Sequence, residues 1–83
     1  MNPEQWLSVI ETLIAHKPIS GTGTWTLVWH NNGLDLIPTR SLGETEITFG
    51  RITAFDAEYG LSTHQWARIK TRLTTFLTQK GLL

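Results

Sequence analysis

The chain is 83 residues long and carries seven basic and seven acidic side chains, four tryptophans, three phenylalanines and no cysteine. That length holds one domain, residues 1–83, which buries only about 60–65% of its unfolded surface and leans on large aromatics for its core. The lack of cysteine excludes a disulfide scaffold, a thiolate metal site and a thiol nucleophile, and no run of about 18 apolar residues is present to span a membrane.

The first element reads as an amphipathic helix. Asn2 and Gln5 fit a capping box, with Pro3 at the first helical position, where its missing N–H costs nothing. At about 100° per residue, Trp6, Leu7, Val9, Ile10, Leu13 and Ile14 fall on one side, opposite Glu4, Ser8, Glu11, Thr12 and Ala15. His16 and Lys17 suit the negative end of the helix dipole, and Pro18 ends the helix. Ile19 to Gly23 reads as a loop. Its run Ser20-Gly21-Thr22-Gly23-Thr24 has the composition of a phosphate loop, but such loops open a helix, whereas here a helix precedes and a strand follows.

A strand from Thr24 to His30 comes next, and Asn32-Gly33 is a strong signal for a type I′ hairpin turn. With those two residues at the tip, Asn31 pairs with Leu34, His30 with Asp35, Trp29 with Leu36 and Val28 with Ile37. Trp25, Leu27, Trp29, Leu34 and Leu36 then share one face, and a slip of one residue would mix them with His30 and Asp35. Pro38 to Glu44 is rich in turn formers. Thr45 to Phe55 reads as a third strand with Ile47 and Phe49 on one face, and the alternation slips after Gly50. A bulge at Gly50 accounts for the slip; the alternative is a Gly50-Arg51 turn, which gives four strands.

The last helix opens on a second capping box, Ser62 with Gln65, and on a hydrophobic staple of Leu61 with Trp66. Trp66, Ile69, Leu73, Phe76 and Leu77 form its apolar stripe, and Gly81 caps its end. The expected fold is α+β in the order α-β-β-β-α: a three-stranded antiparallel sheet with both helices packed on one face, gathering all four tryptophans into one core. Double-stranded-RNA-binding domains share that order, but they carry a lysine cluster at the start of the last helix, where this chain has Thr63-His64-Gln65.

Catalytic and cofactor signals are lacking. His16, His30 and His64 are too widely spaced for a helical ligand pair, so no metal and no cofactor is expected. In the expected register His30 faces Asp35, a pairing that fixes a histidine tautomer, but no motif places a nucleophile beside it. An enzyme using His30 and Asp35 is therefore the least favoured of three readings.

Two surfaces could hold a partner. Residues 61–83 carry Arg68, Lys70, Arg72 and Lys80 with no acid, while residues 1–60 carry all seven acids against Lys17, Arg40 and Arg51. Arg68 and Arg72 lie one helical turn apart, with Lys70, Thr75 and Gln79 nearby, a face suited to phosphates or to an acidic partner. The second surface is the sheet face left bare by the helices, presenting Val28, His30, Asp35 and Ile37, with Ile52 added if the slipped half of the third strand joins it. A homodimer through that face or through an edge strand fits the same pattern. The favoured reading is a small non-catalytic interaction module that binds a protein as adaptor, regulator or inhibitor. Accessory proteins, including those of mobile elements, have this size and this lack of motifs. Nucleic-acid binding by the basic helix face comes second. Without a basic-then-apolar leader after Met1, the expected location is cytoplasmic.

Overall fold

The computed structural model describes residues 2–17 and 23–83, so the helix stop at Pro18 and the loop as far as Thr22 lie outside the described residues. The chain runs α1 (Pro3–His16), β1 (Thr24–His30), β2 (Gly33–Pro38), β3 (Ile47–Thr53), α2 (Ala54–Tyr59) and α3 (Thr63–Gln79), an α+β fold. The expected order holds with one insertion, the short helix α2, which replaces the end of the anticipated third strand.

Both long helices begin at their capping boxes. Asn2 Oδ1 accepts from the Gln5 N–H at 2.9 Å, while Gln5 Oε1 accepts from the Asn2 N–H at 2.7 Å. Ser62 and Gln65 repeat the exchange at 3.1 and 2.7 Å, occupying N–H groups that helix geometry leaves without partners. At the far end of α3, Gly81 takes φ 73°, and the Leu82 N–H reaches back to the Leu77 carbonyl at 2.8 Å, the Schellman closure that a glycine there permits.

The hairpin forms with a different tip. Asn31 and Asn32, at φ 52° and 61°, supply the two left-handed residues of the turn, and Gly33 is already the first residue of β2. His30 therefore pairs with Gly33, Trp29 with Leu34, Val28 with Asp35 and Leu27 with Leu36. Relative to the Asn32-Gly33 turn this is a slip of two residues, which corrects the His30–Asp35 pairing. It leaves every side chain on its expected face, because strand side chains repeat every second residue.

The sheet is antiparallel in the order β2-β1-β3, so β1 is central and β2 and β3 are edges. Gly50-Arg51 is not a turn but part of β3, which carries the expected bulge: Leu27 pairs with Gly50 and Val28 with Thr48, leaving Phe49 as the extra residue. The insertion inverts the alternation, so Ile52 is fully buried in the core and does not join the outer face as the sequence suggested. A Cβ at Gly50 would stand 3.2 Å from Ile69 Cγ1, so glycine is what lets α3 lie this close to the bulge.

The innermost core is mostly aliphatic: Ile10 from α1, Leu27, Leu36 and Ile52 from the sheet, and Ile69, Leu73 and Leu77 from α3, with Phe49 the one ring among them. All four tryptophans pack against this cluster half-buried and do not form its centre. Trp6, Trp29, Phe76 and Phe49 make a chain of ring contacts with centroids 5.7, 5.1 and 5.7 Å apart. The large indoles fill the margin of a small core, where full burial is hard to achieve.

The opposite face is not bare. With β1 between its partners, the connection from β2 to β3 has to cross it. Thr39, in a single 3-10 turn (Thr39–Ser41), places its hydroxyl 2.8 Å from that of Thr24 and 2.9 Å from that of Thr26. Thr26 and Val28 are 3% and 0% exposed, so Val28 belongs to the interior and not to a docking surface.

Candidate functional site

His30 and Asp35, the expected pair, have separate partners. His30 Nδ1 lies 3.6 Å from Glu46 Oε1, and Asp35 Oδ1 lies 3.4 Å from Lys17 Nζ while also accepting from the Leu36 N–H. A half-exposed lysine–aspartate ion pair of this kind contributes about 0–1 kcal/mol. Ile37 is half-buried beside the buried Val28, so the four residues expected to make one sheet-face site are divided between interior and rim. Among the described residues no three histidines, aspartates or glutamates converge as metal ligands.

The basic face of α3 divides as well, more informatively. Lys70 turns toward α1 and meets Glu4 at 3.8 Å. Arg68 and Arg72 lie on the other side, where α3 runs along the outer edge of β3. Between helix and strand is a groove of about 510 Å³, and Arg51 of β3 lines it together with Arg68 and Arg72. Thr48 and Gln65 add polar groups; Leu42, Phe49, Leu61 and Ile69 make the apolar part. The groove continues as a shallower depression of about 360 Å³ past Ile47, Thr75, Phe76 and Gln79, so Thr75 and Gln79 also fall beside it.

No acidic residue lines either stretch, and none of the three arginines has an ion-pair partner among the described residues. Like charges in one groove disfavour one another, and each guanidinium offers a planar fork of donors suited to a carboxylate or phosphate. The groove thus sets these three arginines beside apolar side chains.

The end of the groove near Leu61 is held by a polar knot. Asp56 Oδ2 accepts from the Thr53 N–H at 3.0 Å, and the Asp56 N–H donates to Thr53 Oγ1 at 3.1 Å, a capping box for α2. Asp56 Oδ1 accepts from Gln65 Nε2 at 3.1 Å, tying α2 to the first turn of α3. Burial alone would raise the Asp56 carboxyl, but the Thr53 backbone N–H, the Gln65 amide and the Thr53 hydroxyl outweigh it and hold it below its ordinary value.

Arg51 is the residue the sequence did not reveal. Its side of the strand depends on the bulge, and the face inversion that buries Ile52 is the signal that would have placed Arg51 outside. Helix α2 brings two further unforeseen groups to the surface, Phe55 and Tyr59, 68% and 69% exposed with rings 4.7 Å apart. No family model, curated protein or solved structure matches the chain.

Proposed function

We propose that the chain is a small non-catalytic interaction module, an adaptor, regulator or inhibitor, that binds a protein partner in the groove between β3 and α3. The observation that carries this reading is the meeting of Arg51, Arg68 and Arg72, from two elements, in a groove without acids and with apolar walls. Arginine without an ion-pair partner among the described residues, set beside half-buried Leu42, Leu61 and Phe76, accords with the enrichment of arginine and aromatic residues at protein interfaces. A cytoplasmic site of action accords with the absence of cysteine.

The test is capture from a nuclease-treated extract of the source cell. The wild-type chain should retain a protein that Arg51→Glu/Arg68→Glu/Arg72→Glu loses, with His30→Ala unchanged. All three arginine side chains belong to exposed residues, so the variant should keep its fold, checked by near-ultraviolet circular dichroism of the tryptophans. Equal retention by both chains contradicts the reading.

Nucleic-acid binding is the second reading, favoured by the same arginines with Thr48 and Gln65 as hydrogen-bonding neighbours. A salt-sensitive mobility shift that disappears in the triple variant would establish it in place of the first.

A further inference from the structure

Resting on that protein-binding reading, we propose that the occupant of the groove is an extended acidic segment of another chain, which pairs with β3 as a fourth strand and sets carboxylates against Arg68 and Arg72. Three features of the groove converge on this. The first is the free edge. Among the described residues β3 pairs only with β1, and no backbone–backbone hydrogen bond outside the sheet ladder reaches Ile47–Thr53; only the Thr53 N–H, at its end, is taken by Asp56 Oδ2. Thr48 and Arg51 on this strand are exposed. The open stretch, residues 47–52, is a template for about 20 Å of added strand, whose backbone would contribute affinity irrespective of sequence.

The second is charge. Among the described residues the three arginines lack ion-pair partners and no acid lines the groove, so the complementary segment is anionic. The same charges argue against a second copy of this chain, because two β3 edges meeting about a two-fold axis would oppose arginines to arginines. The apolar walls and the backbone edge favour a peptide over a nucleic acid, which would leave both unused.

The third is spacing. Passing along α3 from Gln65 to Gln79, the facing residues of β3 pass from Arg51 back to Ile47, so helix and strand run side by side in opposite directions. Arg68 and Arg72 are four helical residues apart, about 6 Å along the axis. Alternate residues of a strand are about 6.7 Å apart and point to the same side. Two carboxylates at positions i and i+2 of an added strand therefore match the two guanidinium groups, whereas carboxylates at i and i+1 point to opposite sides. The recognised pattern is acid-x-acid in an extended segment.

The experiment uses the full chain, isotopically labelled, titrated by NMR with blocked synthetic heptapeptides. One carries two glutamates in alternation, Glu-Thr-Glu, in a threonine background; a second has the same composition with its two glutamates adjacent; a third replaces glutamate by lysine. The alternating acidic peptide should bind at least tenfold more tightly than its isomer and shift the amides of Thr48–Ile52, and the lysine peptide should not bind. N-methylation of one alternate set of peptide amides should abolish binding, and methylation of the other set should be tolerated. Arg68→Glu/Arg72→Glu should lose the acidic peptide and gain the lysine one.

Equal affinity for the two acidic isomers, or binding that leaves the β3 amides unmoved, overturns the proposal. If peptides fail while an extract protein is still retained through the arginines, the strand-addition proposal falls and the protein-binding reading stands. If a single-stranded oligonucleotide binds the groove and the peptides do not, both fall.

Discussion

Asp56→Ala tests how far the polar knot between α2 and α3 contributes to stability. The substitution removes both carboxylate oxygens, leaving the Thr53 N–H and Gln65 Nε2 without the acceptors they hold at 3.0 and 3.1 Å. Loss of a helix-capping interaction costs about 1 kcal/mol, and a hydrogen bond to a charged acceptor about 1.5–3 kcal/mol. Gln65 can recover part of its loss from water, which puts the total at about 2–3 kcal/mol. Stability of 0.05–0.15 kcal/mol per residue gives a domain of this length about 4–12 kcal/mol, so the loss is a large fraction and lowers Tm by roughly 10–20 °C. Urea unfolding followed by tryptophan fluorescence measures it. The carboxyl is held below 3.8, so its contribution is complete above that pH and disappears as pH falls through the lowered value. The gap between wild type and Asp56→Asn should therefore be widest at neutral pH and narrow below about pH 4. An Asp56→Ala loss under about 0.5 kcal/mol, or a gap to Asn that grows with acid, would refute the knot.

Four further variants test the fold. Val28→Lys buries an ammonium at a position 0% exposed and should cost about 3 kcal/mol or more by urea unfolding; a stable variant with altered assembly would restore a sheet-face site. Gly33→Thr should leave stability within about 0.5 kcal/mol, because Gly33 has neither positive φ nor a neighbour within 4 Å of an added Cβ. Asn31→Ala/Asn32→Ala should cost about 1–3 kcal/mol, since both residues are left-handed, and the opposite ranking of these two variants would return the turn to Asn32-Gly33. Gly50→Ala places a methyl 3.2 Å from Ile69 Cγ1 and should cost about 1–2 kcal/mol; a neutral result would show that α3 yields freely at this contact.

What the sequence made legible follows the periodicities that hydrophobic residues can report. Period two sorted β1 and β2 onto their faces, and period 3.6 identified Ile69, Leu73 and Leu77 as the inner line of α3. A slip of two residues conserves the strand period, so only the turn could fix the hairpin register; it falls at Asn31-Asn32, two residues that tolerate left-handed geometry, and not at the equally tolerant Asn32-Gly33. Helix α2 was hidden by strand formers, Ile52, Thr53 and Phe55, although Thr53 and Asp56 spell a capping box and Gly60 at φ 89° closes the helix. The covered face was illegible for another reason. Burial of Val28 follows from the strand order β2-β1-β3, which sends a connection across β1, and no local pattern in residues 39–46 announces that order.

The bulge joins these points to the candidate site. Strict alternation from Ile47 and Phe49 would aim Arg51 at the core and Ile52 at solvent, a conflict that one extra residue resolves by reversing both. The same insertion that buries Ile52 brings Arg51 out at the groove that Arg68 and Arg72 reach from α3, so core and candidate site depend on one irregularity. Bulges also twist an edge strand and discourage pairing between copies of it, and Arg51 adds charge to that obstacle. An edge protected against itself in this way remains open to a segment that brings the opposite charge. Selectivity of that kind would need no pocket of deep burial, because in the proposed complex the backbone edge would supply affinity while the arginines would disfavour strands that lack correctly spaced acids.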